Sequence, residues 1–285
     1  MQINRREILQ AAGAWGVLHA TPAQSWFATT PMRLGLVTYQ WGKDWDLPTL
    51  LQHCAETGFS GLELRTTHKH GVEISLTPAQ RREVRARFSD SPVEFVGPGT
   101  ACEYHAADPA VVRRNIEETK AFIQLSADCG GSGVKVRPNG FPPGVPIEKT
   151  LQQIGESLRE VGKFAAEHGQ VIRLEVHGRG TEEPRHIRTM LDIADQPQVL
   201  VCWNCNPTDL QPPGLAANFQ LLQHRLGTIH IHDLRQTNYP WVELFELLKG
   251  ANFAGWTLLE EGQIPADLPA AMRENRTIWE QLSRR

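Results

Sequence analysis

No stretch of this 285-residue chain reaches the roughly 18 consecutive apolar residues that a membrane-spanning helix needs, so a soluble mature protein without a membrane span is expected. Basic residues are not in excess either. The 29 Lys and Arg stand against 32 Asp and Glu, a net charge of -3, and no dense Lys/Arg stripe runs along any segment. A duplex-DNA binder shows a basic face, so nucleic acid is not an expected partner. Cysteine is scarce and odd in number, five in all, which does not describe a disulfide framework. Cys202 and Cys205 have the spacing of half a zinc site, but no second pair accompanies them, and Cys54, Cys102 and Cys129 lie in unrelated segments. Most of the five read as small buried hydrophobes. The chain also lacks internal repeats, low-complexity runs and any linker long enough to divide a fold. Where an open nucleotide-binding sheet would carry a glycine-rich phosphate turn after its first strand, this sequence has Tyr39-Gln40-Trp41-Gly42.

What is present begins with an address. Arg5-Arg6, a weakly apolar run from Ala11 to Ala20 that contains His19, and then Thr21-Pro22-Ala23 resemble a twin-arginine export signal covering residues 1–30. An amphipathic helix is the alternative. The signal implies a periplasmic or exported protein, and its failure a cytoplasmic one. Residues 31–285 are then the folded domain.

That domain alternates short apolar runs with longer amphipathic stretches. Strands are expected at Arg33–Tyr39, Gly61–Arg65, Val93–Gly97, Gly133–Arg137, Val171–His177, Val199–Asn204, Thr228–Asp233 and Gly255–Glu260. Helical patterns fill the gaps, several with proline near the first turn, as at Thr77-Pro78, Asp108-Pro109 and Glu183-Pro184. Eight strand–helix units over about 250 residues favour an α/β fold of parallel strands closed into a single (β/α)8 TIM barrel.

Barrels of this kind carry their chemistry at the C-terminal ends of the strands. Val171-Ile172-Arg173-Leu174-Glu175-Val176-His177 is the most informative of them, because alternation puts Arg173, Glu175 and His177 on one face of a strand that is otherwise apolar. A carboxylate and an imidazole there are costly unless used. The next strands end in Asn204, in His230-Ile231-His232-Asp233 and in Glu260-Glu261. Singly, each has a plain reading as a solvated cap, a turn residue or a satisfied core histidine. Together, Glu175, Asn204, His230 and Glu260 form an oxygen-rich set with one imidazole, suited to Mn²⁺, Mg²⁺, Co²⁺ or Zn²⁺ and poor for soft metals.

From about Arg33 to the C-terminus the chain resembles the xylose-isomerase-like family of sugar isomerases and epimerases, which includes hydroxypyruvate isomerases, ketose 3-epimerases and inosose dehydratases. The resemblance rests on Leu174-Glu175-Val176-His177, His230-Ile231-His232-Asp233 and Gly255-Trp256-Thr257-Leu258-Leu259-Glu260. It implies that Glu175 and Glu260 are both metal ligands and the catalytic acid/base pair. One departure stands out: the family commonly has Asp on strand six, where this chain has Asn204. Asp209 is the alternative fourth ligand, provided its loop folds back.

The implied reaction is proton removal next to a carbonyl, with the ion steadying the enediolate. Return of the proton to the same carbon gives an epimerase, and to its neighbour an isomerase. Loss of a β-hydroxyl gives a dehydratase, and loss of a glycosidic group a 3-keto-glycoside lyase, detected by free aglycone. A non-catalytic exported sugar-binding barrel is a further alternative, marked by a site that stays empty of metal. A DNA-repair endonuclease on the same barrel needs a trinuclear site richer in His and Asp, and a basic face. The expected partner is a small carbohydrate, contacted by Arg65, His68, Lys135, Arg137, His177, His232 and, more weakly, Arg235; Glu103 and His105 point to the same rim. Lys135 and Arg137 hint at an anionic or polyhydroxy substrate, or else pair with barrel carboxylates. Trp41, Trp203 and Trp256 are candidate walls for a sugar ring or plain core residues. The sequence allows a homo-oligomer without indicating one.

Overall fold

The computed structural model describes residues 32–284, so the expected export signal lies outside the described residues. Eight strands, β1 (Arg33–Val37), β2 (Gly61–Arg65), β3 (Glu94–Gly99), β4 (Gly133–Val136), β5 (Val171–Glu175), β6 (Val199–Asn204), β7 (Leu226–Ile231) and β8 (Trp256–Leu259), close in chain order into a parallel barrel. Eight helices surround it: α1 (Leu47–Thr57), α2 (Pro78–Ser89), α3 (Pro109–Cys129), α4 (Ile147–Glu167), α5 (Pro184–Ala194), α6 (Leu215–Leu222), α7 (Trp241–Gly250) and α8 (Leu268–Arg284). The expected (β/α)8 architecture is the one observed. No helix among the described residues is long and apolar enough to cross a membrane.

The helices start where local chemistry dictates. Asp46 accepts from the Thr49 backbone at the head of α1, Thr77 and Gln80 form a capping box at α2, and Asp108 accepts from the Ala110 backbone at α3. Proline occupies the first turn of α2, α3 and α5, where its missing N–H forfeits nothing.

Several strands end elsewhere than their apolar patterns suggest. β5 stops at Glu175, not His177, because Gly178 at φ +90° turns the chain against Asn139, where a β-carbon would lie 2.4 Å from the Asn139 Cα. β4 stops at Val136 because Pro138 has no N–H for the ladder, leaving Arg137 in the loop. β3 runs on to Gly99 after a bulge opposite Leu62/Glu63, and β7 begins two residues early, at Leu226.

Two apolar regions hold the barrel, and their sizes differ greatly. The main core lies between strands and helices, where Leu36, Leu62, Val134, Ile172, Val201, Ile229 and Leu259 from the outer strand faces meet helix residues such as Leu50, Ile123, Leu158 and Leu244. A much smaller apolar group, Val37, Val96, Trp256 and Leu258, with Tyr39 beside it, forms a separate cluster. Alternation along β1, β3 and β8 puts this cluster on the inner faces, so it plugs the barrel interior. The rest of the interior is charged: Glu63, Lys135, Arg173, Glu175, His230 and Glu260 are all buried. Arg173 is fixed at the lower level by donating to the Val96 carbonyl and the Ser132 hydroxyl, with Gly133 leaving room for it.

Candidate active site

Parallel register carries the side chains of successive strands to one depth. Glu175 pairs in register with Cys202, and Asn204 with His230, while β7 aligns Ile231 with Leu259 so that Glu260 follows immediately above. The outcome is a buried cluster at the C-terminal mouth. Ligand atoms of Glu175, His230 and Glu260 lie within 4.8 Å of one another. His230 Nδ1 is 3.2 Å from Glu260 Oε2 and 3.7 Å from Glu175 Oε1. Asn204 joins them, donating from Nδ2 to Glu175 Oε1 at 3.2 Å.

The other face of the His230 ring meets a residue that the strand-end reading passed over. Glu63 on β2 is fully buried, and its Oε1 lies 3.2 Å from His230 Nε2, although the approach falls short of hydrogen-bond geometry. Gly99 makes the space, since a β-carbon there would sit 2.8 Å from Glu63 Oε1. The signal was in the sequence: Gly61-Leu62-Glu63-Leu64-Arg65 alternates, so Glu63 shares an inward face with Arg65. At that distance the carboxylate acts on the imidazole through its charge, favouring the protonated ring.

Lys135 also joins the cluster, in the pairing with a barrel carboxylate that the sequence left open beside substrate contact. It is 2% exposed, and its Nζ donates to Glu175 Oε2 at 2.8 Å. Burial acts to lower its pKa, but Glu175, Glu63 and Glu260 outweigh that and hold the ammonium above its ordinary range. Burial would likewise raise both glutamates. Lys135 and His230 hold Glu175 well below the usual carboxylate range, and His230 does the same, less strongly, for Glu260. The His230 imidazolium, opposed by burial, is favoured by the Cys202 sulfur and the Glu63 and Glu260 carboxylates, which raise its pKa. Both acids of the cluster are therefore ionised at neutral pH.

The two carboxylates differ in freedom. Both oxygens of Glu175 are engaged, one by Lys135 and one by Asn204. Glu260 keeps Oε1 open apart from a distant approach of Arg65 Nη1 at 3.9 Å, and it is the least buried of the four.

The donor set fits a small divalent cation. Three ligand atoms converge, two of them anionic oxygens, and Asn204 Oδ1 is buried without a hydrogen-bond partner. Asp209 does not complete this set. Its Oδ2 accepts from the Tyr239 hydroxyl at 2.8 Å and the Asn206 backbone at 2.9 Å, in a 3-10 turn over Pro207–Leu210.

The remaining sequence candidates divide. Arg65 stands at the mouth with its guanidinium 4.6 Å from the centre of the Tyr39 ring. His68 has a buried, unpartnered Nδ1 and a pKa lowered by burial and by Arg65, which keeps the ring neutral. His177 Nδ1 is also buried and unpartnered, and His232 Nδ1 is 2.8 Å from the Glu260 carbonyl. Arg137 is tied to Glu103, which also accepts from Asn139 and approaches His105 at 3.5 Å. Arg235 is not brought to the cluster, because its guanidinium is committed to Asp233 and to Glu274 of α8. Trp41, Trp203 and Trp256 are core residues: Trp41 donates to the Gln263 carbonyl, Trp203 packs on Phe219, and Trp256 belongs to the inner plug. All five cysteines are buried and unpaired, and Cys202 neighbours the His230 ring.

Solved structures share this arrangement of strands and helices at low identity. The E. coli 3-keto-D-glucoside 4-epimerase YcjR is 17% identical, over 88% of this chain and 99% of its own, with a TM-score of 0.74. An L-ribulose 3-epimerase is 15% identical, over 89% and 95%, at 0.77. The IolI protein, solved with a zinc atom, is 14% identical, over 88% and 98%, at 0.76. At such identities the likeness is one of fold. No protein of curated function matches the sequence. A family model described as the xylose isomerase-like TIM barrel matches residues 51–282, nearly the whole described barrel. By that match, the chain belongs to the xylose isomerase-like TIM barrel family.

Proposed function

We propose that the chain is a sugar isomerase or epimerase that moves a proton on a carbon next to a carbonyl. The observation that carries this reading is the pair of ionised carboxylates, Glu175 and Glu260, flanking one imidazole at the barrel mouth. Structural likeness to enzymes named as ketose and keto-glucoside epimerases supports the substrate class.

Glu260, with the freer oxygen, is the base that takes the proton. Glu175, held by Lys135 and Asn204, is the fixed anion across the site and the second proton carrier when the proton returns to the other face. A divalent ion held by Glu175, Asn204, His230 and Glu260 would supply Lewis-acid polarisation of the carbonyl when bound. Arg65, with Tyr39 beneath it, and the neutral His68 bind substrate hydroxyls, as do His177, His232 and Arg137. The N-terminal segment directs the folded barrel to export.

Deuterium wash-in from D₂O, read by proton NMR on D-fructose, D-allulose, D-tagatose, L-ribulose and a 3-keto-D-glucoside, tests the reading. Exchange at a carbon next to the carbonyl, lost by at least about 10²-fold in Glu260→Gln, is expected. Glu260→Gln is the cleaner probe, because Glu175→Gln also strips a buried ammonium of its partner. No exchange with any of these sugars, metal-loaded or not, sinks the proposal.

A further inference from the structure

We propose, resting on the reading above in which Asn204 is a ligand, that Tyr239 and Asp209 form a buried clasp behind β6. The clasp positions Asn204, and so sets how tightly the site holds a divalent cation, without either residue touching the ion.

An amide makes the end of β6 dependent on exact placement. A carboxylate draws a cation through its net charge. An amide has no net charge and carries two N–H donors beside its one oxygen, so it serves as a ligand only with that oxygen turned to the ion. Inside the barrel Asn204 is held by its Nδ2, which donates to Glu175 Oε1 at 3.2 Å. The rest of its placement comes from the backbone that carries it.

The residues on either side of Asn204 end on one pair of side chains. Trp203, just before it, donates from its indole N–H to the Tyr239 hydroxyl at 3.3 Å, and that hydroxyl donates to Asp209 Oδ2 at 2.8 Å. Two residues after Asn204, the Asn206 backbone N–H donates to the same Oδ2 at 2.9 Å. The Asn206 side chain donates to the Val176 carbonyl at 2.6 Å, directly after Glu175, so the clasp also reaches the strand that carries the other anionic ligand. Asp209 is anchored in turn by α6, where Asn218 Nδ2 donates to its carbonyl at 2.9 Å. Trp203 and Asp209 are fully buried, and Tyr239 is 6% exposed.

A buried hydrogen-bond network rigidifies what it holds. Here it spans the loops after β6 and β7 and closes on the chain immediately before and after one ligand. Groups that orient a metal ligand from behind are typically worth 10–100-fold in metal affinity. A neutral ligand, which has orientation alone to offer, is where such support counts most.

The test is calorimetric titration of Mn²⁺ into the purified full chain, stripped of metal by chelation and dialysed. Tyr239→Phe keeps the ring and deletes one oxygen. It is expected to weaken Mn²⁺ binding by about tenfold or more, and Asp209→Ala to do the same. Asp209→Asn keeps an acceptor for Tyr239 and the Asn206 N–H and is expected to stay within about threefold of wild type. Circular dichroism melts check that each variant is folded at the titration temperature. The decisive arm is Asn204→Ala, which leaves Glu175, His230 and Glu260 in place. In that background, adding Tyr239→Phe is expected to change the affinity by less than about twofold, because the clasp acts through Asn204. Wild-type affinity in folded Tyr239→Phe and Asp209→Ala overturns the clasp, and the isomerase reading stands if exchange still depends on Glu260. An equal loss with and without Asn204 overturns it too, since Tyr239 then acts on the fold at large. A wild-type chain that binds no Mn²⁺ overturns the clasp, and one that also exchanges no sugar proton overturns both.

Discussion

Asp209→Asn should remove one source of this fold's sensitivity to alkali. Asp209 sits in the 3-10 turn after β6, buried, with Oδ2 engaged by Tyr239 and the Asn206 backbone and Oδ1 without a partner. Burial pushes its carboxyl up to about 7 from 3.8, against the pull of those two hydrogen bonds. Because the folded state holds this proton more tightly than the unfolded chain, stability falls as pH rises from about 4 through about 7 and levels off above. At about 1.4 kcal/mol per pH unit, ionising Asp209 in place costs on the order of 4 kcal/mol. An asparagine keeps an acceptor for Tyr239 and the Asn206 N–H and has no charge to desolvate. Thermal melts of both proteins at pH 5 and pH 8 read the effect. About 2.7 kcal/mol of that falls between pH 5 and pH 8, so the variant is expected to gain on wild type by roughly 5–10 °C between the two, at about 2–4 °C per kcal/mol for a domain of this size. Every other titrating group is common to the two proteins and cancels in the difference. Parallel pH profiles would refute the reasoning and show that Asp209 ionises at little expense.

Other expectations concern the site and its scaffold. Asn204→Asp restores an anionic ligand and should tighten Mn²⁺ binding roughly tenfold or more in calorimetry; an unchanged or weaker affinity would mean that position 204 does not face the ion. Gly97→Ala should destabilise the barrel by about 3 kcal/mol or more in urea unfolding. Gly97 adopts φ +147°, and a β-carbon there would lie 1.9 Å from the Gly133 carbonyl oxygen, so a variant as stable as wild type would contradict the tight β3–β4 approach.

Much of this was written in the chain. Eight apolar runs separated by capped amphipathic stretches specify the barrel, because strand and helix each announce a period and the caps fix where helices start. The cluster was legible for the same reason: a rule that places chemistry at strand ends singles out Glu175, Asn204, His230 and Glu260. Glu63 escaped because it lies within β2 and not at its end, and its partner, His230, is remote in sequence. The role of Lys135 needed the register of β4 against β5, which aligns Lys135 with Arg173 and lets its long stem reach Glu175. Arg235 is a weaker candidate in the sequence, and what takes it from the site is the fold of its own loop, which turns its guanidinium back onto Asp233, together with the return of α8, which brings up Glu274.

The last helix does more than shield the barrel. Asn275 donates to Asp233 and accepts from the Leu234 backbone, just beyond the strand that carries His230, and Trp279 donates to the Thr257 hydroxyl, which in turn donates to the Arg33 carbonyl of the first strand. The seam where the first and last strands of the barrel meet is thus latched from outside by α8. A ribosome that stalls before α8 emerges releases a polypeptide with every reactive side chain already made and no finished cup to hold them.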